Sequence, residues 1–225
     1  GAGKSTLLKA LAGVHKIDSG SITLNGKAFE QGSTRAARDQ GIAVIYQEPS
    51  LFPDLTLAEN VFVGRQLQKG VVVDWKSMES EAKALFEQLG VKLDPSIRAR
   101  GLSIADQQIV EIAKALSTKA TVIVMDEPTA ALGVKQATHV LRIVNEAKRR
   151  GLAVIFITHQ VMHAMAVGDH FAVLIRGAVA SDFRKGEKTR EEITDLMAGG
   201  ASMANLEAEI ESGFGDDDKT PLRVA

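Results

Sequence analysis

The sequence predicts an α/β protein whose core is a parallel sheet. Three short apolar runs carry that prediction: residues 41–46 (Gly-Ile-Ala-Val-Ile-Tyr), 121–125 (Thr-Val-Ile-Val-Met) and 153–158 (Ala-Val-Ile-Phe-Ile-Thr). Each is rich in β-branched residues and free of charge, the composition of a strand buried on both faces. The amphipathic stretch at residues 134–149 separates the second run from the third. A strand, a helix and a strand in that order imply parallel pairing. A glycine-rich turn at the start of the chain, leading straight into an apolar helical run, completes the pattern.

The elements follow in order. Residues 6–12 (Thr-Leu-Leu-Lys-Ala-Leu-Ala) read as the first helix. Asp18-Ser19-Gly20 is a turn, and residues 21–24 alternate toward Asn25-Gly26, a hairpin signal. After the first buried strand the pattern becomes helical at residues 56–63 and 77–89, the latter capped by Asp74 and stopped by Gly90. Residues 104–116 form another helix, with Ile104, Ile109, Ile112, Ala113 and Leu116 on its apolar face. Beyond the strand–helix–strand unit, residues 171–175 and 178–180 predict a hairpin turning at Gly177, followed by a helix near 189–197. Residues 199–225 are polar and acidic (Asp216-Asp217-Asp218), with a short helical segment at 206–210, and are expected to be disordered. The remainder, residues 1–198, reads as one domain, with a helical segment of about residues 49–104 inserted.

Composition narrows the function. A net charge of −1 gives no general electrostatic case for nucleic acid, and no local basic patch supplies one. The absence of cysteine excludes disulfides and thiolate metal sites within this sequence. No apolar run approaches the roughly 20 residues that cross a bilayer, so a membrane role would need another chain to supply the pore.

The chemistry begins at the first residue. Gly1-Ala2-Gly3-Lys4-Ser5-Thr6 is the second half of a G-x-x-x-x-G-K-[ST] phosphate loop. Backbone N–H groups of Gly1, Ala2 and Gly3 can turn inward around phosphate oxygens, Lys4 adds a mobile positive charge, and the Ser5 hydroxyl is placed for Mg²⁺. The helix that follows directs its positive end at the same anion. The first glycine of the motif and the strand that should lead into the loop are expected before Gly1, in the middle of the parallel sheet. Residues 1–225 alone are therefore expected to fold poorly and to bind ATP weakly.

Four further features fit a phosphate-loop ATPase. The second apolar run ends in Asp126-Glu127-Pro128-Thr129, which places Asp126 for Mg²⁺ and Glu127 as general base for an attacking water. Gln47 ends the first run and can reach Mg²⁺ or that water. His159 ends the third, where an imidazole can meet the γ-phosphate. Ser103, in Gly101-Leu102-Ser103-Ile104-Ala105-Asp106-Gln107-Gln108, opens a helix and offers an anion site. Taken alone it is a helix cap, with Asp106 three residues on completing an approximate capping box. His15, His139, His163 and His170 have no metal-type spacing and read as structural.

Across residues 1–198 the sequence resembles the nucleotide-binding subunits of ABC transporters. In that resemblance Lys4-Ser5-Thr6 corresponds to the Walker A motif, Gln47 to the Q-loop and residues 102–108 to the signature motif. Asp126-Glu127 corresponds to Walker B with its catalytic glutamate, and His159 to the switch histidine. It implies a P-loop, RecA-like core with antiparallel hairpins and a helical subdomain, and ATP and Mg²⁺ as cofactors. It further implies a head-to-tail homodimer in which the signature Ser103 of one subunit meets ATP on the other. Membrane-spanning permease subunits would receive the helical insertion, placing the chain on the cytoplasmic face of the inner membrane. Residues 102–116 and Asp74-Trp75 are similar to bacterial monosaccharide importers of the ribose, xylose and fructose group, which work with a periplasmic sugar-binding protein. Residues 196–200 are similar to the fructose-type members, whose ATPase is a single cassette.

The sequence departs from the family pattern at three places. Ile104 and Ala105 replace the two signature glycines, Asp106 replaces a glutamine, and Gly133 stands where a polar residue is usual. Two alternatives to the importer ATPase follow. One is a soluble ABC-type ATPase of translation or DNA repair, against which stand the missing coiled-coil insertion, second cassette and basic arms. The other is a catalytically weak regulatory nucleotide-binding subunit, motivated by Asp106 and Gly133.

Overall fold

The computed structural model describes residues 2–198; Gly1, the acidic tail and its expected short helix lie outside the described residues. Two compact units emerge, Lys4–Val167 and a second formed by the first residues together with the chain from Gly168.

The larger unit is built on a parallel sheet of β3 (Ile42–Ile45), β6 (Val122–Asp126) and β7 (Ala153–Ile157), in the order β3-β6-β7. Alternation along β6 divides the core. Ile123 and Met125 join a large cluster with Ile143 and Val144, whereas Val124 packs on the other face with Leu8, Phe29, Ala37 and Ile42. β3 and β6 therefore serve both faces, as their composition requires, whereas β7, expected to be buried on both faces, has no fully buried residue and exposes Ala153. Ile155 of β7 is 39% exposed. Among the described residues β7 pairs with β6 alone.

Helices cover the sheet. α1 (Lys4–Leu11) buries Leu8 and Ala10, and a short hairpin, β1 (Thr23–Leu24) and β2 (Lys27–Ala28), turns through Asn25-Gly26 as predicted. α3 (Leu57–Val61) is closed by a capping box between Thr56 and Glu59. α4 (Trp75–Gln88) starts at Asp74, whose carboxylate accepts the Ser77 N–H at 3.1 Å. α5 (Ile104–Ser117) buries Ala105, Gln108, Ile109, Val110, Glu111, Ile112, Ala113 and Ala115. α6 (Val134–Arg149) joins β6 to β7. The helices of residues 49–104 do not form a separate core: Leu57, Met78 and Phe86 share one cluster with Ile109 of α5 and with Ile123 and Met125 of the sheet.

Three elements lack a counterpart in the sequence reading: α2 (Thr34–Asp39), the hairpin of β4 (Gln68–Lys69) and β5 (Val72–Val73), and α7 (Val161–Val167). The helix expected over 56–63 is also shorter, ending at Val61.

In the second unit β8 (His170–Ile175) and β9 (Ala178–Arg184) form an antiparallel hairpin around Arg176-Gly177. β9 runs four residues beyond the predicted strand end, because Phe183 stacks on Phe171 with ring centroids 5.3 Å apart. α8 (Arg190–Met197) is capped by Thr189 and buries Ile193. Gly177 N–H donates to Ala2 O at 3.2 Å, and a Cβ on Gly3 would stand 3.1 Å from Gly177 Cα. Gly3 also has φ +87°, so both the turn and the close approach require glycine there.

Candidate functional site

Within Lys4–Val167 the carboxyl ends of three parallel strands fall in one row. Ile45 pairs with Met125, and Asp126 pairs with Ile157. Gln47, Glu127 and the Thr158-His159 pair therefore follow at about the same level beyond neighbouring strands. α1 packs against β6. Lys4, its first residue, stands near enough to Asp126 to pull that carboxyl's pKa down. The pull is outweighed. Burial, and then the charge of Glu127, hold Asp126 above the ordinary carboxylate range.

Glu127 is the most constrained residue of the group. Its backbone is left-handed, φ +46°, an uncommon conformation for a residue with a side chain. Its N–H donates to Ile157 O at 2.9 Å, extending the β6–β7 ladder by one bond. The carboxylate is only 11% exposed and is held from both sides. Thr158 Oγ1 donates to one oxygen at 3.0 Å; the other accepts the His159 N–H at 2.9 Å and contacts His159 Nδ1 at 2.8 Å. A carboxylate can only accept, so Nδ1 carries the proton in this pair. The imidazole is 64% exposed, which leaves Nε2 toward solvent. Such an arrangement fixes a base and aims a second polar group outward beside it.

The structure therefore brings together Lys4, Asp126, Glu127 and His159, and places Gln47 at the end of β3. Ser5 and Thr6 are exposed on the first turn of α1. Ser103 is exposed at the start of α5, and its hydrogen bonds stay on its own helix. Its hydroxyl accepts the Asp106 N–H at 3.2 Å and donates to the Asp106 carboxylate at 2.7 Å. Sequence reasoning missed the grip of Thr158 on Glu127, although Thr-His at a strand end placed a donor within reach. His163, outside this group, has its Nδ1 2.9 Å from the hydroxyl of fully buried Thr129.

A phosphate-loop helix start, strand-end acids and a parallel sheet define a nucleotide-binding α/β protein of the P-loop class. The model of the ABC transporter family matches residues 1–130, and the chain belongs to that family. It is 46% identical over 213 residues to the ribose import ATP-binding protein RbsA of Rhodococcus jostii, covering 93% of this chain and 42% of that protein. It is 48% identical over 201 residues to ribose import ATP-binding protein RbsA 1 of Streptomyces coelicolor, covering 88% and 40%. The chain thus spans about two fifths of the length of these curated relatives. Among solved structures, an ATP-binding cassette of an ABC transporter in its ADP conformation matches with TM-score 0.75 at 24% identity, over 92% of this chain and 84% of the other. A nucleotide-free ATP-binding cassette matches with TM-score 0.72 at 25% identity, over 88% and 80%. These likenesses fit the parallel core with its hairpins and helices.

Proposed function

We propose that this chain binds and hydrolyses ATP to drive uptake of a monosaccharide through a separate permease. The observation that carries the proposal is the Glu127 carboxylate, fixed by Thr158 and His159 beside Asp126 and Lys4. Glu127 accepts the proton of the attacking water, and its rigid grip keeps the accepting oxygen in place. His159, donating through Nδ1, presents Nε2 to a phosphate oxygen. Lys4 and the backbone of Gly1, Ala2 and Gly3 hold the phosphates.

The donor set fits Mg²⁺. The Ser5 hydroxyl, the Asp126 carboxylate and the Gln47 carbonyl are all hard oxygen ligands. Asp126 is held above its ordinary pKa by burial and by Glu127, a strain that an adjacent cation relieves. When bound, the ion neutralises charge on the phosphate oxygens.

The import role is supported by relatives named for ribose import. None of the helices among the described residues is long and apolar enough to cross a membrane. In this reading the chain lies peripherally on the cytoplasmic face of the inner membrane, and the helical insertion of about residues 49–104 docks on the permease. Two ATPase subunits associate head to tail, Ser103 of each closing on ATP held by the other. A periplasmic sugar-binding protein then delivers the cargo, and nucleic acid has no part.

The test is Glu127→Gln in the intact transporter. Turnover should fall by about 10²–10⁴-fold while ATP stays bound, and sugar uptake by cells should stop. Unchanged phosphate release would refute the assignment.

A further inference from the structure

We propose that Glu111 is a positioning residue for the ATPase, tying the segment after Gln47 to the helix that begins at Ser103. The inference rests on the ATPase reading above and adds to it a mechanical connection between two of its parts. Glu111 lies in α5 and is 7% exposed, an unusual burial for a carboxylate. One oxygen accepts two hydrogen bonds from a single residue 61 positions away, from the Ser50 N–H at 3.0 Å and the Ser50 hydroxyl at 3.1 Å. The other lies 3.5 Å from Lys114 Nζ, a loose partner on the same helix.

A buried carboxylate is costly without donors. If the segment carrying Ser50 swung away from α5, the carboxylate would lose both close donors at once. The cost of stranding it therefore opposes independent motion of the segment. Ser50 is three residues past Gln47, and Glu111 lies eight residues past Ser103, about 12 Å along the helix. Any rotation of α5 that carries Ser103 toward or away from nucleotide must therefore carry the Gln47 segment with it. The link explains a buried ionisable group in a helix whose other buried residues, Gln108 apart, are apolar, where leucine would pack more cheaply.

The experiment uses the full chain with its native partners and compares Glu111→Leu, Glu111→Gln, Ser50→Ala and Gln47→Ala. Glu111→Leu removes both acceptors and should lower kcat by about tenfold or more. The KM for ATP should hold steady, because Lys4 and α1 are untouched. The Mg²⁺ concentration for half-maximal rate should rise, and amide exchange at residues 47–50 should speed up while that of α5 does not. Glu111→Gln keeps one acceptor and should restore most of the rate. Ser50→Ala keeps the N–H and should fall between the two. Glu111→Leu combined with Gln47→Ala should be no slower than Gln47→Ala alone. If Glu111→Leu does not fold, Ser50→Ala carries the same test. A kcat and Mg²⁺ dependence unchanged in Glu111→Leu, or in its stand-in Ser50→Ala, would overturn the proposal while Gln47→Ala still slowed turnover. Silence in Gln47→Ala and Glu127→Gln together would instead sink the ATPase reading itself.

Discussion

At Asp126 burial and the charge of Glu127 favour the protonated carboxyl in the folded state. Its folded pKa is raised above the unfolded one, so the folded chain holds a proton that the unfolded chain has released. The residue's contribution to stability therefore declines as pH rises across that window, and the cost persists above it. Asp126→Asn should melt higher than the native protein at neutral pH without nucleotide, with the gap closing toward acid. A gap independent of pH, in thermal melts followed by circular dichroism, would contradict this. The same variant should lose turnover. Thr158→Ala, which removes one of the donors to the Glu127 carboxylate, should cost about 1.5–3 kcal/mol of stability. It should also slow hydrolysis more than it weakens nucleotide binding, a split that steady-state kinetics would resolve.

At the scale of elements, caps and buried amides set the cost of change. Asn60 of α3 is 1% exposed and bonds to both the N–H and the C=O of Phe52, at 2.7 and 3.1 Å. Asn60→Ala should strand those groups and cost about 1–3 kcal/mol for each left unsatisfied, read as a loss of protection around residues 51–56. Asp106 engages the hydroxyl of Ser103, and Asp106→Gln should free it. More nucleotide-dependent self-association in sedimentation velocity is the expected result. How far the sequence spoke depended on element length and pattern. α4, α5 and α6 repeat apolar residues over several turns, and β6 and β7 are unbroken apolar runs, so all five were legible. α2 buries only Ala37, and the β4–β5 hairpin leaves Val71 97% exposed, so neither shows a periodic signal. Strand-end acids and histidine were visible because motif spacing is local. The Ser50–Glu111 contact was not, because it joins positions 61 residues apart.

At the scale of the molecule, one cluster unites the inserted helices with the sheet. Phe86 of α4, 1% exposed, belongs to the same core as Met125 of β6. Phe86→Ala should cost about 3–5 kcal/mol, and the tryptophan signal of Trp75 should melt together with the far-ultraviolet signal. Two separate transitions within Lys4–Val167 would show that the helices fold on their own. The one-sided pairing of β7 among the described residues has a practical consequence. Ala153-Val-Ile-Phe-Ile157 is an uncharged strand, and the strand expected ahead of the phosphate loop belongs to the same sheet. Concentrated solutions of residues 1–225 made alone should seed intermolecular cross-β growth through an unpaired edge, and a chain that carries the preceding strand should not. A gatekeeper charge at Ile155, as in Ile155→Lys, should delay the onset of turbidity and thioflavin binding.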